Sequence, residues 1–365
     1  MGMRAIGWVI FQVVALLSLQ AHVEPTYYLH GCMGSYEVGV QIDHFQDAAY
    51  FRYFKVEDKV DIILSGNIVG NDSALFFFER KEGERVLETV KVRHLRDETW
   101  EGTWRVDGIT FTITLEPIEK DSINHAWNLA AEFKRIASPY SYFRTRDVEL
   151  QEVMTTSFGA YQVNWLLEPI SEAMGIQVIG SSDTDSLNST LLSQLFNHID
   201  QYFNCGTYGY RGRFIVEEME VLYLQGDLLS YRFVTKSACY GQQENINIRY
   251  QTMRVSTGKP VRLEDVFYIG EGEAPKQHSS GWFTYRRGAF KNFVVDRLRE
   301  LYPATFESAT PRLNAWEQPV WYLSGDGVAM GAALPPGSNK DCKEPTWLTI
   351  PYEELGDYLK VDMTN

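Results

Sequence analysis

The sequence predicts an α+β protein in two parts: an N-terminal antiparallel β meander, closed as a barrel or folded as a sandwich, and a C-terminal α+β domain with two helices packed on a mostly antiparallel sheet. Three observations predict it. From Tyr36 to Pro117, short runs of alternating polarity are divided by polar, glycine-containing turns, with no helical periodicity. After Pro117 the composition changes. Beyond it, two segments place apolar residues at helical spacing between antiparallel hairpins.

Candidate strands of the first part span 36–45, 49–56, 61–69, 74–80, 87–95, 99–106 and 109–115. The last is the plainest, because Ile109, Phe111, Ile113 and Leu115 alternate with Thr110, Thr112 and Thr114. Gly66, Gly70-Asn71, Gly83 and Asp107-Gly108 fall between runs as hairpin turns do. This defines an all-β domain over 27–118. Residues 119–144 read as a linker, with a short helix or an extended stretch over 121–137 and a break at Ser138-Pro139-Tyr140. In the second part, 145–365, a helix spans 187–203 on the stripe Leu187, Leu191, Leu192, Leu195, Phe196, Ile199 and Phe203. A second helix spans 289–301 and ends before Pro303. Between them lies a hairpin, 214–224 with 228–238, turning at Gln225-Gly226-Asp227. A strand over 245–255 follows, and a final group at 320–323, 328–333 and 346–350 completes the sheet.

The first 21 residues differ from the rest. Arg4 is their only charge, and the stretch to Leu19 is almost wholly apolar, which predicts a signal peptide cut after Ala21. A retained anchor is the alternative, but the run is shorter than the roughly 20 residues that span the hydrocarbon core. The mature chain is therefore expected in the periplasm or outside the cell, with no membrane span after cleavage. Export makes disulfide candidates of its four cysteines, Cys32, Cys205, Cys239 and Cys342. None has the close spacing of a zinc or redox pair.

The 365 residues carry 34 basic against 48 acidic side chains, a net charge of −14. That balance argues against nucleic acid, which demands clustered positive charge. The seven histidines show no metal-ligand spacing, and no Gly-x-Ser-x-Gly elbow or phosphate loop occurs. No catalytic residue, metal or cofactor is predicted. Glu217, Glu218 and Glu220 can suggest a glycosidase pair, which needs carboxyls about 5 to 10 Å apart, yet strand alternation explains them as a solvated surface. His198 falls near an apolar helix stripe, where packing accounts for it, and Asp265 suits a turn cap. Tyr208, Tyr210 and Tyr240, in glycine-rich loops near the hairpin base, are the candidate binding residues.

Three segments of the second part resemble a known domain. Thr257-Gly258-Lys259-Pro260-Val261-Arg262-Leu263-Glu264-Asp265-Val266-Phe267 resembles the Thr-Gly-Lys and Leu-x-Asp-hydrophobic-Phe signature of a bacterial extracytoplasmic domain. That domain is shared by lysozyme-sensing anti-sigma factors and a peptidoglycan deacetylase. Residues 327–355, ending in Ile350-Pro351-Tyr352-Glu353-Glu354-Leu355, resemble its closing segment, and the 187–203 helix with its hairpin resembles its opening. The resemblance covers roughly 140–365, and the strand series before it is similar to a small β domain that precedes this module in secreted proteins. The leader-like start, the two β-rich parts and the lack of a catalytic constellation point to a non-catalytic binding or sensing protein, and the resemblance places it at the cell envelope. The implied partner is a cell-wall-associated protein or glycan, such as a cationic muramidase suited to an acidic surface. The Gly-Gly-Ala-His-Pro-like turn of the family is replaced here by Ala238-Cys239-Tyr240-Gly241-Gln242-Gln243, so lysozyme recognition is not carried over. Alternatives are an envelope glycan hydrolase or deacetylase, and a barrel carrying a small apolar ligand.

Hairpin geometry places residue 239 roughly opposite residue 213, with Cys205 a short loop upstream. A Cys205–Cys239 bridge would staple the helix end to the hairpin base. Cys32 with Cys342 is then the remaining pair, and two free thiols are its alternative.

Overall fold

The structure, a computed structural model, describes residues 26–45, 48–69, 75–180, 183–205, 213–238, 245–309, 313–332 and 347–361. The segment read as a signal peptide lies outside them. The chain divides into two units, the first ending at Glu119 and the second beginning at Lys120.

Alternation builds the first unit. Strands β1 (Thr26–Met33), β2 (Tyr36–Phe45), β3 (Ala48–Lys55), β4 (Ile62–Ile68), β5 (Leu75–Glu82), β6 (Arg85–His94), β7 (Trp100–Val106) and β8 (Ile109–Pro117) pair each with the next. The barrel closes where β1 meets β8, with Leu29 opposite Pro117 and Met33 opposite Ile113. Barrel, not sandwich, is the outcome, and the strand that closes it was not among those expected. Every second side chain points inward: Val38, Val40 and Ile42 on β2, Phe51 and Tyr53 on β3, Phe76 and Phe78 on β5, Trp100 and Trp104 on β7. Outside, Thr110, Thr112 and Thr114 of β8 are exposed. Closing so small a barrel bends the strands sharply, and glycine supplies the bend. A Cβ at Gly66 or Gly102 would stand 2.0 Å from a carbonyl oxygen of the neighbouring strand, that of Phe77 or Lys91.

The second unit begins with the segment read as a linker, which is packed rather than free. Helices α1 (Ala131–Ile136) and α2 (Pro139–Arg144) follow an irregular stretch in which the Trp127 indole donates to the Val148 carbonyl at 2.9 Å. Arg144 is buried, donating to Asp200 Oδ1 through Nη2 at 2.6 Å and to Asn204 Oδ1 at 2.8 Å. A three-stranded sheet of β9 (Gln151–Phe158), β10 (Tyr161–Leu167) and β11 (Met174–Ile179) comes next, with β10 central. Its edge strand β11 is fastened to α3 (Asp185–Cys205), because the Asn188 amide both accepts from the Val178 N–H and donates to the Val178 carbonyl, each at 2.8 Å. The predicted stripe of α3 is its buried face.

The hairpin β12 (Arg213–Gln225) and β13 (Leu228–Ala238) continues into β14 (Asn245–Arg254). Register slips at Glu217 and Leu222, so Arg213 faces Ala238 rather than residue 239. Leu229, Tyr231 and Phe233 turn one face of this sheet to the core shared with α3. Leu228, on the other face, joins a second core formed by α4 (Leu263–Val266), α5 (Ser280–Tyr285), α6 (Lys291–Leu301), α7 (Pro303–Ala309) and α8 (Tyr352–Leu355). A last sheet contributes to that core, made of β15 (Val320–Leu323), β16 (Gly327–Gly331) and β17 (Trp347–Pro351). The second predicted helix starts earlier than its stripe suggested, since α5 runs through a π-helical turn, Arg286–Phe290, into α6. The unit is α+β, with three small antiparallel sheets among the described residues.

Candidate functional site

The motif residues singled out in the sequence hold the second unit together. Gly258 of the Thr-Gly-Lys turn has φ +60°, and a Cβ there would lie 2.4 Å from the Ser186 carbonyl oxygen at the start of α3. Glycine is demanded by both conformation and contact. The turn is tied to the hairpin by Asp227, which accepts from the Ser256 N–H at 2.7 Å and from Arg254 Nη1 at 3.2 Å. Burial opposes ionisation of Asp227, but these donors outweigh it and hold its carboxyl below the usual range. In the Leu-Glu-Asp-Val-Phe segment, Asp265 accepts from the Arg262 N–H at 3.1 Å, the capping role expected of it. Glu264 is buried, accepting from Arg286 Nε at 2.6 Å and Trp282 Nε1 at 2.7 Å. At the closing segment, Ile350 is buried and the Tyr352 hydroxyl donates to the Ser324 carbonyl at 2.7 Å.

Other buried carboxylates are likewise engaged. Inside the barrel, Glu88 accepts from the Tyr53 hydroxyl at 2.5 Å and Trp104 Nε1 at 2.6 Å, while Arg80 Nε reaches its second oxygen at 3.1 Å. Burial, and then the neighbouring carboxylate, push the Tyr53 hydroxyl far upward. Asp200 holds Arg144, and Glu168 accepts from the Ser171 N–H at 2.6 Å. Among the described residues no group of three His, Cys, Asp or Glu side chains is placed to hold a metal ion. His198 packs edge-on against Phe233, ring centroids 5.0 Å apart, and burial, then the Arg249 charge, lower it to about 4. No helix among the described residues is long and apolar enough to cross a membrane.

A cluster of aromatic rings gathers where two of the sheets meet. Glu220, Arg232 and Tyr250 lie directly opposite one another across β12, β13 and β14, so they share the sheet face away from α3. Arg232 Nε meets Glu220 Oε2 at 2.9 Å. In the last sheet, Tyr322 faces Ala329 and Trp347 faces Gly331, which places both rings on the side opposite Leu323, Val328 and Met330 of the core. The three rings converge: Tyr250 stacks on Tyr322 at 5.4 Å with 16° between planes, and Trp347 meets Tyr250 edge-on at 4.6 Å and Tyr322 at 4.8 Å. All three are half-buried. Two stacked phenols with an indole edge and a guanidinium–carboxylate pair beside them offer apolar ring faces and hydrogen-bonding groups together, an arrangement suited to a polyhydroxylated ligand.

Tyr208, Tyr210 and Tyr240 lie outside the described residues, as do Cys239 and Cys342. Of the suspected carboxylate trio, Glu220 lies beside the cluster through Arg232. Cys205 is buried at the end of α3. Cys32 is a free, exposed thiol, so the bridge to Cys342 drawn from the cysteine count is not made. The alternation of β1 turns Cys32 to the outer barrel face, between inward Gly31 and Met33. Sequence reasoning missed Tyr250, Tyr322 and Trp347; the available signal was aromatic residues at strand positions facing away from the core. No family model matches the chain, and no curated protein matches it.

Proposed function

We propose that this is a non-catalytic binding protein of the bacterial cell envelope that holds glycan on the Tyr250, Tyr322 and Trp347 cluster of its second unit. The observation that carries the proposal is the convergence of those rings beside the Arg232–Glu220 pair. Sugar rings present C–H faces to aromatic side chains and hydroxyls to charged groups, and the cluster supplies both. The leader-like first 21 residues and the resemblance to the envelope domain agree with export to the periplasm or beyond. A Cys205–Cys239 cystine, part of the same proposal, would fasten the end of α3 to the hairpin base. The engagement of Glu88, Asp200 and Glu264 in structural pairs favours binding over hydrolysis or deacetylation. The barrel interior, filled by Phe51, Phe76, Phe78, Trp100 and Trp104, favours it over carriage of an apolar ligand.

Co-sedimentation of the intact protein with purified peptidoglycan sacculi is the test. The protein should pellet with sacculi, and Tyr250→Ala and Trp347→Ala should each weaken retention at least about tenfold, as loss of a ring anchor does. Retention of both variants at wild-type level would refute the cluster. Binding to a cationic muramidase but not to sacculi would replace glycan by protein as the partner.

A further inference from the structure

The outer face of the barrel carries a concavity of about 630 Å3, lined among others by Phe77, Glu79, Arg85, Thr89, Arg105 and Asp107. Its volume falls within the few hundred to about a thousand cubic ångströms typical of small-ligand sites. Register sets the arrangement. Glu79 lies opposite Thr89, and Thr89 opposite Arg105, so the three form a row across β5, β6 and β7. Phe77 sits two residues along β5 on the same outer face, half-buried, because Phe76 and Phe78 take the inward positions.

The charges are unequally committed. Of its carboxylates, Glu79 is held by Lys81 at 2.9 Å, and Glu88, which also lines the concavity, by Arg80 at 3.1 Å. The guanidinium groups of Arg85 and Arg105, and the Asp107 carboxylate, make no hydrogen bond or ion pair among the described residues. Both arginines are exposed, so their guanidinium groups are open to a ligand from solvent. Two forked donors suit a carboxylate or phosphate. The Asp107 carboxylate repels a polyanion and instead accepts from hydroxyls, as the Thr89 hydroxyl also can. Phe77 supplies a ring face. A single body that brings one carboxylate, several hydroxyls and an apolar face is an acidic sugar.

We propose that this concavity binds an acidic monosaccharide unit, free or within a glycan, with its carboxylate on Arg85 and Arg105. The site lies in the first unit and does not depend on the aromatic cluster of the second. Calorimetric titration of the intact protein with glucuronic acid, glucose and inorganic phosphate tests it. Glucuronic acid should bind, with glucose and phosphate each at least about tenfold weaker, and Arg85→Gln and Arg105→Gln should each lose about tenfold or more. Both substitutions are on the surface, so thermal melting should be unchanged and serves as the control for folding. Trp347→Ala should bind glucuronic acid as wild type does. The proposal is overturned by no heat with glucuronic acid up to about 10 mM, by equal affinity for glucose or phosphate, by undiminished binding in both arginine variants, or by loss of binding in Trp347→Ala.

Discussion

Replacing Glu264 by glutamine should unfold the second unit at markedly lower denaturant. Its side chain is 1% exposed and that of Arg286 7%. The Arg286 guanidinium also lies 4.2 Å from the Phe290 ring centroid and 5.1 Å from Trp282. Among the described residues the carboxylate and these two ring faces lie against the cation. An amide keeps the volume and one acceptor but leaves a buried charge uncompensated, a loss of about 3 to 5 kcal/mol. That is a large share of the roughly 5 to 15 kcal/mol that holds a typical domain folded. Removing both charges, as in Glu264→Leu with Arg286→Met, abolishes the desolvation cost together with the attraction. The double variant should therefore be at least about 2 kcal/mol more stable than Glu264→Gln. Urea unfolding followed by near-ultraviolet circular dichroism, where Trp282 reports directly, measures all three proteins. A Glu264→Gln midpoint equal to wild type, or a double variant less stable than the single one, would show that the pair does not carry the motif's role.

Three further outcomes follow from the geometry. His198 is lowered from an ordinary 6.5 to about 4 by burial and then Arg249, so the unfolded chain takes up its proton first as pH falls. Stability is complete above about pH 6.5 and drops by about 3 kcal/mol on passing to pH 4; His198→Gln should flatten this part of the pH–stability curve, and an identical curve would contradict it. Gly258→Ala must hold φ +60° with its Cβ 2.4 Å from the Ser186 oxygen, and should cost about 2 kcal/mol or more by thermal melting; an unchanged melting temperature argues against the turn's packing on α3. Cys32, free and exposed, should be alkylated by maleimide in the native protein, as peptide mass mapping will show, and protection of Cys32 would mean that its thiol is engaged.

Much of the fold is legible in the sequence because strand alternation is a local property. Seven barrel strands fall near their expected positions, and α3 buries the stripe its spacing named. The closing strand β1 escapes because Gly31 interrupts its inward series between Leu29 and Met33. The sheet β9–β11 escapes for another reason: β9 is exposed along most of its length, so its pattern lacks an apolar face. The 119–144 segment looks like a linker because its anchor, Arg144, finds Asp200 only in three dimensions. The site is harder still. Tyr250, Tyr322 and Trp347 come from strands of two sheets, and nothing short of tertiary register places Tyr250 beside Trp347. Asp265, expected from the sequence to cap a turn, caps a short helix, while the burial of its neighbour Glu264 against Arg286 and Trp282 was not legible there.

Recognition of glycan by the aromatic cluster is tested most directly by titrating soluble peptidoglycan oligosaccharides into the intact protein while following tryptophan fluorescence, with Trp347→Phe and Trp347→Ala alongside. Saturable change in the wild type, retained binding by calorimetry in Trp347→Phe and at least about tenfold weaker binding in Trp347→Ala are expected. Saturable binding of equal strength in Trp347→Ala, or none in the wild type, would contradict the assignment.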